Sequence, residues 1–247
     1  MAHDVIDVGF DDQDLDSKVP AKAERYKGRK GYTDRIGIIF FKKKEVVAGT
    51  PLRDQFSIDE CPRFLAKDTH FYQGLGYTFC NTAPGSAPSV CCERLGPSDR
   101  RIATLIVKYR TDKNGMPLQP FNTGSLEFMT WAFNAMKFQQ LRAVHSENPL
   151  QTHDLKITCT NDDFQHLQFF PCKEAMWRLH DDLIRHVLAE LAKREQEVMK
   201  TLGTQRTDAE ILEKLGASVP SSSSSGGGTA SAGADSGVDY SDLLGQS

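Results

Sequence analysis

The chain has 247 residues, a net charge of −3, and 39% hydrophobic against 26% charged residues, enough for one good-sized core or one core with a small appended module. No apolar run approaches the ~20 residues of a membrane span, and the acidic start MAHDVIDVGFDDQDLD is unlike a secretory signal. The expected setting is a reducing cytoplasm, where clustered cysteines favour metal over disulfides.

Residues 1–16 carry six acids and no Lys or Arg, and residues 1–20 read as a flexible acidic arm. Residues 221–247 carry three acids and likewise no cation. Without those nine charges, residues 17–220 have a net charge of +6, so the middle of the chain is basic. Residues 21–44 concentrate that charge, with nine Lys/Arg against Glu24 and Asp34 and with Tyr26, Tyr32, Phe40 and Phe41 interleaved. Cations with aromatics suit single-stranded nucleic acid, whose phosphates need neutralising and whose unpaired bases stack on rings.

The elements that follow read mostly as strands. Arg35 to Phe41 is a buried-type strand, and His70 to Phe79 alternates with a break at Gly74-Leu75-Gly76. Arg101 to Tyr109 is β-branched and ends near Asn114-Gly115, a hairpin signal. Ser125 to Trp131 has a period of two, and Asp154 to Thr160 and Gln165 to Phe170 flank the turn Asn161-Asp162-Asp163. Two helices interrupt the pattern. Asn134 caps one through about Ser146 that buries Phe138, Leu141 and Val144; the other, Lys173 to Leu202, carries a stripe of Met176, Leu183, Ile184, Val187, Leu188 and Leu191. Thr207 and Glu210 form a capping box for a short helix within 204–220, ending at Gly216. Residues 221–247 are a Ser/Gly-rich tether with an acidic tip holding Tyr240, Leu243 and Leu244, built like a peptide that docks on a partner.

Cys61, Cys80, Cys91 and Cys92 fall with His70 inside a 32-residue window, which defines a zinc subdomain at about 61–96 within a core of 21–203. Thiolate and imidazole are ligands that Zn²⁺ prefers, and four of them with no open position make one structural site. His70, Cys80, Cys91 and Cys92 are the favoured set, clamping both ends of the Gly74/Gly76 segment, with Cys61 as the alternate because adjacent cysteines share one ion only on a kinked backbone. Cys159 and Cys172 read as packing residues.

Many short strands with helical additions suggest an α+β fold built on a small oligonucleotide-binding (OB-fold-like) barrel, whose open face makes a groove for single strands. Stacking candidates are Tyr32, Phe40, Phe71, Tyr72, Tyr77, Phe79, Tyr109 and Trp131, of which alternation lets about half face outward. Phe138 and Phe164 read as core.

The stretches KAERYKGRKGYTDRIG, HFYQGLGYTFC, CCERLG and THDLKITCT, over roughly residues 20–172, resemble the single-stranded DNA-binding proteins of tailed bacteriophages, the gene-32-like helix-destabilising class. One departure stands out: the best-known member separates its last two cysteines by two residues, whereas Cys91 and Cys92 are adjacent. The resemblance implies an oligonucleotide-binding barrel with one structural zinc, and a protein that coats single-stranded DNA during phage replication, recombination and repair in the cytoplasm of an infected bacterium. It also implies self-association along DNA and a tail that recruits replication and recombination proteins. Phosphate contacts are then expected from Lys27, Arg29, Lys30, Lys42, Lys43, Lys44, Arg100, Arg101, Lys108 and Arg110.

An enzyme is not expected. The His-x-Glu and Pro-Cys-x-x-Cys elements of zinc deaminases are missing, as are H-E-x-x-H, the P-loop and G-x-S-x-G, and His180 with Asp181-Asp182 reads as solvated helix charge. The alternative is a phage transcription cofactor that contacts host RNA polymerase through its tail or long helix.

Overall fold

A computed structural model describes residues 25–82, 86–160 and 167–216. The N-terminal arm, the tether and its tip, Phe164 and the Asn161-Asp162-Asp163 turn lie outside the described residues. The fold is α+β, with seven strands in one antiparallel sheet: β1 (Thr33–Ile38), β2 (Leu65–Tyr72), β3 (Gly76–Phe79), β4 (Asp99–Tyr109), β5 (Leu126–Asn134), β6 (Leu155–Cys159) and β7 (Leu167–Pro171). Hydrogen bonding runs β3-β2-β4-β1-β6-β7, and β5 pairs with the other edge of β4.

β4 is the spine because its RIATLIVKY run supplies apolar side chains to both faces. Leu105, Val107 and Tyr109 enter one core cluster while Ile102 and Ile106 enter the other, as a period of two requires. The first cluster is covered by α3 (Asp181–Leu202), whose Leu183, Ile184, Val187, Leu188, Leu191, Val198 and Leu202 are buried. Each such side chain contributes about 1.5–3 kcal/mol on full burial. The second cluster fills the other side, with residues from β1, β4, β5, β6 and β7 and with Leu141 of α2 (Ala135–Glu147) packed in. Phe138 and Val144 are half-buried against the same cluster, and the Asn134 side chain accepts from the Lys137 N–H at the helix start.

The expected barrel is not there as a closed sheet. β1 and β2 share one edge of β4, so the sheet divides at that edge, and among the described residues no ladder joins β5 to β7. Residues 25–31 cross that side of the fold through two isolated bridges, Arg25 to Thr130 of β5 and Lys30 to Cys159 of β6.

The long helix is shorter than its periodicity predicts. The Asp154 carboxylate takes the Met176 N–H at 3.0 Å and the Tyr109 hydroxyl takes the Trp177 N–H at 3.2 Å, so residues 176–178 form a 3₁₀ turn and the α-helix begins after His180. Asp154 also accepts from Tyr109 Oη at 2.8 Å and from Arg35 Nε at 2.9 Å. β1 can pass this cluster only because residue 37 is glycine: a Cβ there would lie 2.9 Å from Asp154 Oδ1, Tyr109 Oη and Trp177 Cδ1. The Thr207/Glu210 capping box is present at the start of α4 (Asp208–Lys214). No helix among the described residues is long and apolar enough to cross a membrane.

Candidate metal centre and nucleic-acid interface

β2 and β3 form a hairpin in which His70 pairs with Thr78, and Cys80 follows directly, fixed by its N–H to the Asp68 carbonyl at 2.9 Å. The returning chain forms a short helix, α1 (Val90–Leu95), rather than the expected loop, and it carries both adjacent cysteines. The ligand atoms of His70, Cys80, Cys91 and Cys92 all lie within 4.8 Å of one another. Cys80 Sγ and Cys92 Sγ are 3.5 Å apart, and Cys92 Sγ is 3.7 Å from His70 Nε2. A tetrahedral ion with thiolates at about 2.3 Å sets sulfur–sulfur edges of about 3.8 Å, and these two spacings lie close to that of a closed four-ligand site.

Polar groups surround two of the three sulfurs. Cys91 Sγ receives the Asn81 N–H at 3.3 Å and lies 2.9 Å from Ser89 Oγ, while Thr82 Oγ1 lies 3.0 Å from Cys92 Sγ. The Thr82 hydroxyl holds the Cys92 thiol below its usual range, whereas burial pushes that of Cys80 up. Cys61, the alternate, is exposed outside the cluster with its thiol toward the Pro62 carbonyl at 3.6 Å. Cys159 is buried in the second core cluster, and Cys172 is half-buried.

Exposure divides the eight stacking candidates evenly but not by alternation, since the adjacent Phe71 and Tyr72 both reach solvent. Phe40, Phe79, Tyr109 and Trp131 are core; Trp131, at 3% exposure, packs edge-on against Tyr26 and cannot present a face to a base. Phe71 is 63% exposed, and Tyr32 and Tyr72 also reach solvent. The Phe71 ring lies 4.9 Å from that of half-buried Tyr77, and the Arg101 guanidinium sits 3.5 Å above the Tyr77 centroid. The three form a platform on the face of the hairpin opposite His70.

Many candidate phosphate contacts are paired. Arg29 and Lys108 both reach the buried carboxylate of Asp34, at 3.3 and 3.2 Å. Arg100 grips Asp68 with two hydrogen bonds, and Arg110 lies 3.6 Å from Glu127. Lys27, Lys30, Lys42, Lys43 and Lys44 are exposed. Arg29, Lys108 and Arg110 nevertheless line a cleft of about 260 Å³ with Leu118 and Glu127, and Arg29 covers the Tyr32 ring at 4.4 Å.

Sequence reasoning missed the outer face of β1, β6 and β7. Phe170, half-exposed, stands opposite Lys156, whose Nζ lies 3.8 Å from Met116 Sδ. The signal was available: of the adjacent Phe169 and Phe170 in one strand, only one can face the core. Comparison with protein-family models and with curated proteins returns no match.

Proposed function

We propose that this chain is a sequence-nonspecific single-stranded DNA-binding protein of the tailed-phage class it resembles, acting in replication, recombination and repair and not as an enzyme. The observation that carries the reading is the platform on the hairpin: an exposed Phe71 ring backed by Tyr77 and capped by Arg101, which together offer a base-stacking surface and a phosphate partner. Tyr32 with Arg29 provides a further ring–cation pair, and the exposed Phe170 ring lies on the strand register opposite Lys156.

In this reading the ion is zinc. Three thiolates and one imidazole are its preferred set, and four protein ligands leave no position for a substrate water, which makes the site structural. Bound zinc would tie His70 and Cys80 to α1 and so fix the hairpin that presents Phe71 and Tyr77. The acidic tail would recruit partner proteins, and self-association along DNA would follow from coating.

Fluorescence titration of the full chain with oligothymidine at two salt concentrations tests the proposal. Binding should weaken steeply as salt rises. Phe71→Ala should cost about 1–3 kcal/mol, the usual worth of one base on one ring. Binding to host RNA polymerase without any affinity for oligothymidine would replace this reading with that of a transcription cofactor.

A further inference from the structure

Arg101 is a half-buried arginine with a ring for a partner and, among the described residues, no acid. Arg35 is matched by Asp154, Arg63 by Glu195 and Arg100 by Asp68. Arg101 instead lies over Tyr77 and gives its Nε–H to the Thr201 carbonyl at 3.4 Å, and no carboxylate among the described residues forms an ion pair with it. Arg25 adds a second positive charge that Arg101 feels, and Phe71 leaves an apolar ring open beside them. The surface therefore calls for an anionic segment that also carries apolar side chains.

The chain itself supplies one nearby. Residues 1–16 hold six aspartates without a cation, interspersed with Val5, Ile6, Val8, Phe10 and Leu15. The described chain begins at Arg25, which bridges Thr130 of β5; Arg101 is in register with Asn134, four residues further along that strand, about 13 Å away. Residues 17–24 can span about 26–29 Å when extended, so the acidic stretch reaches the platform with length to spare.

We propose that the acidic segment 1–16 docks on the Phe71–Tyr77–Arg101 platform and competes there with a single strand. The docking stands on charge and reach alone, while the competition rests on the function proposed above. If the arm covers about nine-tenths of platforms at low salt, apparent affinity for DNA is lowered about tenfold.

Zero-length carbodiimide cross-linking of the full chain, mapped by mass spectrometry, tests the docking. Lys67, whose ammonium lies 5.9 Å from the Phe79 ring beside the platform, is the acceptor to watch. Links from the arm's aspartates to Lys67 that vanish in high salt and in excess oligothymidine are expected. A full-length variant with Asp4, Asp7, Asp11, Asp12, Asp14 and Asp16 changed to Asn should bind oligothymidine about tenfold more tightly at low salt. Adding Arg101→Gln to it should remove more affinity than Arg101→Gln removes from the parent, whose platform the arm already covers. Arm links confined to Lys27 or Lys42–Lys44, links to Lys67 from Asp235, Asp239 or Asp242 in place of the arm, or no arm links at all would overturn the docking. Arm links to Lys67 with unchanged oligothymidine affinity in the Asn variant would overturn the competition. Absence of oligothymidine binding in every variant would sink the proposed function while the cross-links still decided where the arm lies.

Discussion

The two ends of β4 are built differently. At the Lys108 end, cations surround a buried acid: Lys108 and Arg29 reach Asp34, and Tyr26 donates to it at 3.2 Å. At the Arg101 end the guanidinium rests on a ring, with no described carboxylate paired to it, and the adjacent hairpin is tied to four potential metal ligands. The first arrangement consumes its charges in holding the fold together; the second leaves a charge for something outside the core. Substitutions at the two ends should therefore separate stability from binding.

The largest effect that would break this comparison is at the four candidate metal ligands. Structural zinc sites in small modules supply about 10 kcal/mol or more of folding free energy, so chelation or His70→Ala should unfold the β2–β3 hairpin and α1, abolish protection of their amides in hydrogen exchange, and weaken oligothymidine binding more than tenfold. Retained hairpin protection after complete metal removal would show that packing alone holds this end.

Next comes the buried acid on the α3-covered side. Asp154→Ala leaves Arg35 with the Glu174 carbonyl but no carboxylate, and the Met176 N–H without its acceptor, and breaking a buried pair of this kind costs about 3–5 kcal/mol. A chemical denaturation curve should record that loss, with the salt dependence of oligothymidine binding unchanged. A loss below about 1 kcal/mol would mean that the network is replaceable.

The smallest effect sharpens the same distinction at the surface. Hydrogen bonding from Arg178, at 2.6 Å, holds the Asp59 carboxyl below its usual range. A lowered folded-state value means that the native state binds the proton less readily, so this contribution is present above about pH 4 and is lost as pH falls through the folded value. Because Asp59 is exposed, its worth is below about 1 kcal/mol. Melting curves of the wild type and Asp59→Asn should differ slightly at pH 6 and converge toward pH 3; a gap that persists or widens would refute the pairing.

The His70/Cys80/Cys91/Cys92 cluster was legible because chemistry narrows the choice: four cysteines and one histidine close in sequence have few joint uses, and of the five only Cys61 lies outside it. The helix carrying Cys91 and Cys92 was not legible, since Val90–Leu95 is too short for a periodicity to show. Strand positions came through because alternation and β-branching are local, but closure of a sheet depends on which edges meet, and nothing local records that β1 and β2 share one edge of β4. The early part of the predicted long helix failed for the same reason, as its N–H groups were claimed by Asp154 and Tyr109, 22 and 68 residues earlier in the chain. Of the cations, sequence located the basic stretch but could not separate Arg100, which is matched by Asp68, from its neighbour Arg101, which lies over a ring.

Ultraviolet cross-linking of oligothymidine to the full chain, with adducts located by mass spectrometry, tests most directly whether bases lie on the hairpin rings. The account predicts adducts on Phe71 or Tyr77 that disappear after chelation. Saturating binding with adducts elsewhere and none within residues 65–79 would contradict it.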